Sequence, residues 1–537
     1  MRRALSLVIA FLLLPAAGVA LARDTYPRSS TVDAIHYRIS IEISAASDQV
    51  KAETAILLEF KTDGVKEAAL DFSGLTIDAV TENDRAAKYT RVNGRVIIAL
   101  EGSYRRGDRC RLAIKYHGKP ADGLYIKKNK FGDPSVFADN WPDRAHYWFP
   151  SIDHPYDKAT VEFLVVAPAN YDIVANGALA ETTARPDGSK LTHWIERVAI
   201  PTYCMVIGAT GFSVINANAL DPSNRGVPLS YYLYPRDRDH GVKGFGRAAE
   251  MIEFYSNLIA PYPYEKLALV QSSTRFGGME NSSAIFFDEK LFDDSADLEG
   301  VVAHEIAHQW FGDSVTEADW HHVWLSESFA QYFGHLFFER ADGRQKFVSL
   351  MLADKESYLK AYASDPRPMY DPAITDLFAL LNRNTYEKGA WVLHMLRRVM
   401  GDEKFFAGIR DYYRRHREGN ALTADFQKVM ESHAGMSLDW FFDEWFYQPG
   451  YPILEATSRW DGGSKTLTFN LKQSQPKTVY RMPIDLEIKT DGATRREVLQ
   501  VNQREQKWTF KLDSPPMQVA LDPDEWVLKV ATVKRED

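Results

Sequence analysis

Two histidines four residues apart, in His304-Glu305-Ile306-Ala307-His308, constrain this chain more than any other feature. In a helix, side chains at i and i+4 lie on one face. Both imidazoles can then bind one tetrahedral zinc ion, and Glu305 beside them can reach a metal-bound water. Val301, Val302, Ile306 and Phe311 give such a helix an apolar surface, and Glu299 lies near its start. A catalytic zinc needs a third protein ligand and one open position. Glu327 supplies the ligand: it follows His308 with 18 residues between, inside Trp324-Leu325-Ser326-Glu327-Ser328-Phe329-Ala330. Leu325, Phe329, Tyr332 and Phe333 form a helical apolar stripe there. A carboxylate within such a stripe needs a partner, because unpaired buried charge is costly. The five-residue pattern alone arises by chance. With Glu327 in a second amphipathic helix, it predicts one zinc ion per chain, held by His304, His308 and Glu327. His321 and His322 are candidates for orienting a ligand from behind. The other histidines, His335 among them, lack ligand-like neighbours and read as surface or satisfied core residues.

A chain of 537 residues exceeds what one hydrophobic core organises, so about three domains are expected. Residues 23–224 read as strands and turns. Segment 35–43 alternates apolar and polar, while 55–60 and 95–100 are apolar runs of strand length between Gly and Asp turns. A Pro/Gly/Asn/Ser stretch over 221–228 marks a boundary. Residues 225–451 begin with a short β portion and then turn helical, with periodicity over 248–259, 298–311, 325–340 and 386–400. Pro449-Gly450-Tyr451-Pro452 punctuates again. From 452 to 537 alternation returns, as at 466–471 and 484–488, in the manner of a small β-sandwich. The expected fold is multidomain α+β: an N-terminal β domain, a mainly helical catalytic domain and a C-terminal β-sandwich.

Arg2 and Arg3 precede an apolar run over 4–14, and Ala20-Leu21-Ala22 fits the rule for leader cleavage. Residues 1–22 are therefore expected to be a secretory signal, and the mature protein to be exported, periplasmic or extracellular. Pro15 and the short apolar run argue against a stable membrane span. Hydrophobic residues make up 45% and charged residues 26%, a globular balance that excludes disorder and a multi-pass membrane protein. The formal net charge of −9 is mild and no basic stripe appears, so nucleic acid is not an expected partner. Cys110 and Cys204, the only cysteines, either pair after export or stay as buried thiols.

Gly277-Gly278-Met279-Glu280-Asn281, then His304 to His308, then Glu327, resemble the M1 family of zinc aminopeptidases, the gluzincins that include aminopeptidase N and leukotriene A4 hydrolase. Tyr386-Glu387-Lys388-Gly389-Ala390 resembles that family's catalytic tyrosine segment. Residues 441–446 followed by 449–452 resemble its exit into a β-sandwich. The resemblance implies a thermolysin-like middle domain and an enzyme that removes single residues from peptides with a free N-terminus. In that reading Glu305 is the general base, and Tyr386 donates to the developing oxyanion. Glu280 binds the substrate α-ammonium. Gly277 and Gly278, with Met279, leave room for the substrate backbone as an added strand.

Other positions depart from the family pattern. Phe276 falls where the family lines the pocket for the first substrate side chain, and its bulk would narrow that pocket. Many members carry a Gln or Glu ahead of a Pro-x-x-Asp-x-Pro segment, here Pro150-Ser151-Ile152-Asp153-His154-Pro155. Trp141 occupies the matching place, and Asp139 is the nearest candidate to take over amine binding. Ser326 and Ser328 replace the usual Asn and Gly beside the third ligand. Many members also roof the site with a large helical domain after the sandwich, and the end of this chain at 537 predicts a more open site. A thermolysin-type endopeptidase would share the metal and the base but has no need of Glu280. An inactive peptide-binding relative would usually have lost a ligand or the base, and no residue singles out epoxide hydrolysis. The preferred N-terminal residue, the physiological peptides and homo-oligomerisation stay open.

Overall fold

Alternating burial along Val32–Glu42 builds the first long strand: Val32 and Ala34, then Tyr37, Ile39 and Ile41, point into the core. The alternation changes phase because Ile35 is an extra residue, a bulge between the pairs at Ala34 and His36. This strand pairs antiparallel with Val50–Phe60 and parallel with Lys158–Pro168 inside an eight-stranded sheet. A four-stranded and a three-stranded sheet complete the N-terminal β unit around a shared apolar core. The structure is a computed structural model that describes residues 24–536 except 45, 221–225 and 294–296. The segment read as a leader, 1–22, lies outside the described residues.

Ser213–Asn216, Leu229–Leu233, Leu267–Ser272, Ala284–Asp288 and Gly278–Met279, in that spatial order, form the five-stranded sheet of the second unit. The division expected at 224/225 therefore falls between its first two strands. Turn-rich composition marks a long connection, and here the connection lies within a unit. The three inner strands run parallel, and every residue of Leu267–Ser272 and Ala284–Asp288 is buried. Burial on both faces is why these strands read as apolar runs without alternation. Gly278–Met279 runs antiparallel along the edge.

The rest of the unit is mainly helical, and its helices include α1 (Ala248–Leu258), α2 (Leu298–His308), α3 (Trp324–Asp342), α4 (Arg344–Ser364) and α5 (Gly389–Met400). The Asp297 carboxylate caps α2 by accepting from the Gly300 N–H at 3.1 Å. Phe311, just beyond α2, sits 4.7 Å from Phe329 and 5.2 Å from Phe333 of α3, ring centre to ring centre. That aromatic contact holds the two helices of the HExxH–Glu pattern together. Residues 453–536 add a four-stranded and a three-stranded sheet. Their inward residues, among them Leu454, Phe469, Ile484 and Leu486, join the same apolar core as the helices.

The N-terminal unit buttresses the second one directly. Lys158 Nζ donates to the Asp313 and Ser314 carbonyls at 2.9 and 3.0 Å, and its burial there pulls the amine down to about 7. Asn176 Nδ2 donates to the Ser282 carbonyl at 2.5 Å. Cys110 and Cys204 are both buried and free. No helix among the described residues is long and apolar enough to cross a membrane.

Candidate active site

His304 and His308 leave α2 on the same face, and Glu327 meets them from the first turn of α3. The Nε2 atoms of the two histidines lie 3.0 Å apart, and Glu327 Oε2 lies 3.3 Å from each. The three atoms form one group able to hold a metal ion. His308 Nδ1 sits 3.1 Å from the Phe311 carbonyl and 3.0 Å from Ser326 Oγ. A carbonyl only accepts, so Nδ1 carries a hydrogen, and Nε2 is the nitrogen left to meet a metal ion. Gly312 makes this support fit: its φ is +121°, and a Cβ there would meet Ser326 Oγ at 2.3 Å. His321 and His322 do not play this part. The first is spent on Asp319 and the Ile374 carbonyl, the second on Thr423. Ser326 does it instead, and its place next to Glu327 in the chain was the available signal.

A second group, Glu280, Glu305 and His308, converges on the same space. Burial first, against the pull of His308 and with a push from Glu327, raises the Glu280 carboxyl to about 7. Burial and the neighbouring carboxylates Glu280 and Glu327 likewise drive Glu305 well up. Glu327 goes the other way. Burial opposes its ionisation, yet His308 and the hydrogen bonds to His304 and His308 bring it down to about 2. Of the three carboxylates, the one between the imidazoles is therefore the one whose ionised form the site favours, as a ligand requires.

Gly278–Met279 places Glu280 at the open edge of the sheet. Gly277 has open space where a Cβ would be, whereas a Cβ on Gly278 would meet Glu305 Oε1 at 2.1 Å. Tyr386 lies in a π-helical turn, Asn384–Lys388, that leads into α5. Such turns often re-aim a side chain at functional sites. Its ring stacks on His304 at 5.8 Å and its hydroxyl faces the Glu327 carboxylate.

All these groups line one cavity of about 560 Å³. Phe276 is in its wall, edge-on to Trp141 at 5.8 Å, and Trp141 is edge-on to Phe378 at 5.7 Å. Asp139 is not in the wall. Arg144 Nη2 holds one of its oxygens at 2.5 Å and the Arg275 N–H holds the other at 3.0 Å. The carboxylate is thus fully buried and engaged behind Trp141, which takes the cavity position itself. Three further lining residues were missed in the sequence. They are Gln331 and His335 from α3 and Asp354 from α4, with His335 Nε2 2.8 Å from Asp354. His335 stands eight residues beyond Glu327, on the same helical face, and that spacing was legible.

Two family models match the chain: the Peptidase M1 N-terminal domain over residues 33–204 and the Peptidase family M1 domain over 244–445. Probable aminopeptidase 1 of Saccharolobus solfataricus is 28% identical over 451 residues, covering 78% of this chain and 54% of its own length. Tricorn protease-interacting factor F2 of Thermoplasma volcanium is 30% identical over 401 residues, covering 69% of this chain and 48% of its own length. Glutamyl aminopeptidase of Bos taurus is 27% identical over 352 residues, 62% of this chain and 36% of its own length. The chain spans about half the length of the first of these relatives.

Proposed function

The chain belongs to peptidase family M1, and from that premise we propose that it is a zinc-dependent aminopeptidase, which hydrolyses the first peptide bond of peptides with a free N-terminus. The donor set fits zinc. Ligand atoms about 2.0–2.1 Å from a tetrahedral zinc stand about 3.3 Å from one another, and the three separations here are 3.0, 3.3 and 3.3 Å. Zinc bound there lowers the pKa of a coordinated water toward neutrality and polarises the scissile carbonyl.

The protein's own residues do the rest. Glu305 takes the proton of the attacking water and passes it to the leaving amine. The Tyr386 hydroxyl donates to the oxyanion that develops on the scissile carbonyl. The open edge of Gly278–Met279 receives the substrate backbone as an added strand. Glu280 accepts from the substrate α-ammonium, a charge-assisted bond that a blocked or internal residue cannot make.

The observation that carries the aminopeptidase reading is Glu280, a carboxylate only 5% exposed yet set in the cavity wall beside the ligand triad. A buried carboxylate that a blocked substrate would leave unpaired rejects such analogues strongly. Hydrolysis of aminoacyl-4-nitroanilides, each paired with its N-acetyl form, with and without 1,10-phenanthroline, tests it. Chelator-sensitive cleavage confined to free amines is expected. Equal cleavage of the acetylated compounds would return the endopeptidase reading.

A second expectation concerns Gly278. The methyl of Gly278→Ala would displace the Glu305 carboxylate by about an ångström, and misplacement on that scale costs about 10²-fold in rate. kcat/KM should fall accordingly with zinc content unchanged. A variant within twofold of the parent would mean that Glu305 works from elsewhere.

A further inference from the structure

Glu280 stands where the sheet no longer holds the chain. The last ladder pair of its strand is Met279 with Phe286, and residues 280–283 then turn back into Ala284–Asp288. The depth at which Glu280 meets the cavity is therefore set by side chains that grip this turn. Gln309 grips it at both ends. Its Nε2 donates to the Glu280 carbonyl at 2.7 Å, and its Oε1 accepts from the Ser283 N–H at 2.9 Å. Ser283 has a φ of +62°, in the left-handed region that a serine enters only when held there.

Gln309 is itself fixed on every side. Nε2 also donates to Asp313 Oδ2 at 2.8 Å, and Oε1 lies 3.1 Å from the Tyr262 hydroxyl, whose one hydrogen is shared with the Lys266 carbonyl at 3.0 Å. The side chain is fully buried. The Glu280 carbonyl can only accept and the Ser283 N–H can only donate, so the orientation of the amide has no alternative. Gln309 directly follows His308 at the end of α2. The ligand helix and the amine-binding turn are thus joined by one peptide bond and one amide.

We infer that Gln309 is a positioning residue that fixes the reach from the metal ligands to Glu280, and so sets the selectivity for a free N-terminus. This rests on the aminopeptidase reading of Glu280. Gln309 touches neither the metal ligand atoms nor substrate. It acts through the Glu280 backbone, so its loss should impair recognition of the amine and spare the metal.

The test uses zinc-loaded full-length protein and two metal-chelating ligands, leucine hydroxamate and N-acetyl-leucine hydroxamate, with affinities measured by calorimetry. The ratio of the two affinities reports the amine site, and the acetylated ligand alone reports the metal. Gln309→Leu keeps the bulk and removes all four bonds, leaving buried backbone groups without partners. Its affinity ratio is expected to fall by about tenfold, with acetyl-ligand affinity within twofold of the parent. Tyr262→Phe removes the hydroxyl that Gln309 Oε1 shares with the Lys266 carbonyl and should lower the ratio by about threefold, and this variant decides the matter where Gln309→Leu does not fold. An unchanged ratio, or equal loss for both ligands, overturns the positioning role. A parent protein that does not distinguish the two ligands would instead overturn the reading of Glu280 beneath it.

Discussion

Glu305→Gln should keep its zinc and lose about 10²–10⁴ of kcat, the usual contribution of a positioned general base. The amide matches the carboxylate in size and shape, so the 6% exposed side chain keeps its place against Gly278. It has no basic oxygen with which to take a proton. Glu305 is not one of the three atoms at 3.0–3.3 Å separations, so metal content should stay at one per chain. KM should change little, because the interaction removed operates in the transition state. The exchange also puts a permanently neutral amide where burial and the neighbouring Glu280 and Glu327 already oppose ionisation of the carboxyl. The thermal midpoint of the variant should therefore be no lower than that of the parent. Metal analysis, steady-state kinetics and thermal unfolding on one preparation check all four. Turnover within tenfold of the parent would remove Glu305 from the mechanism.

The contrast between Glu305 and Asp139 shows what a sequence exposes. Periodicity placed His304, His308 and Glu327 on facing helices, because ligand spacing and helical pitch are both local properties of the chain. Phe311, Phe329 and Phe333 lay in the same apolar stripes, and their ring contacts are what bring the helices together. Asp139 looked available because the chain records its neighbours along the backbone and not Arg144 and Arg275 folded onto it. Only the fold shows that Trp141 faces the cavity and Asp139 lies behind it. Ile35 makes the same point at the level of a strand. Its bulge inverts the in-and-out phase between Ala34 and His36, so the alternation read over 35–43 holds for Tyr37, Ile39 and Ile41 but not for Ile35 itself. The division at 224/225 failed for a related reason: a run of turn formers signals a long connection and carries no information on what it connects. Gln309 was invisible until the turn at 280–283 was folded onto it, since its partners lie 26 and 29 residues away.

Glu327→Ala should lose both zinc and activity, and it separates ligand from base more sharply than any other change. Two imidazoles 3.0 Å apart remain, without the carboxylate whose ionisation they favour. A catalytic site is built from three protein ligands, and two leave half the coordination shell to water. After dialysis against a chelator the variant should hold no stoichiometric zinc, and its activity should be below about 1% of the parent, since removing an essential activating metal leaves only the protein's weaker contributions. Unfolding gives an independent reading. Ligand at 1,000 times its Kd stabilises a protein by about 4 kcal/mol, so added zinc should raise the thermal midpoint of apo parent protein and of Glu305→Gln by several degrees. The Glu327→Ala midpoint should not respond. A variant that retains one zinc through dialysis would assign the third ligand elsewhere. Glu280 and Glu305, which form the other metal-capable group with His308, would then be the residues to examine, and neither could keep the role given to it here while holding the metal.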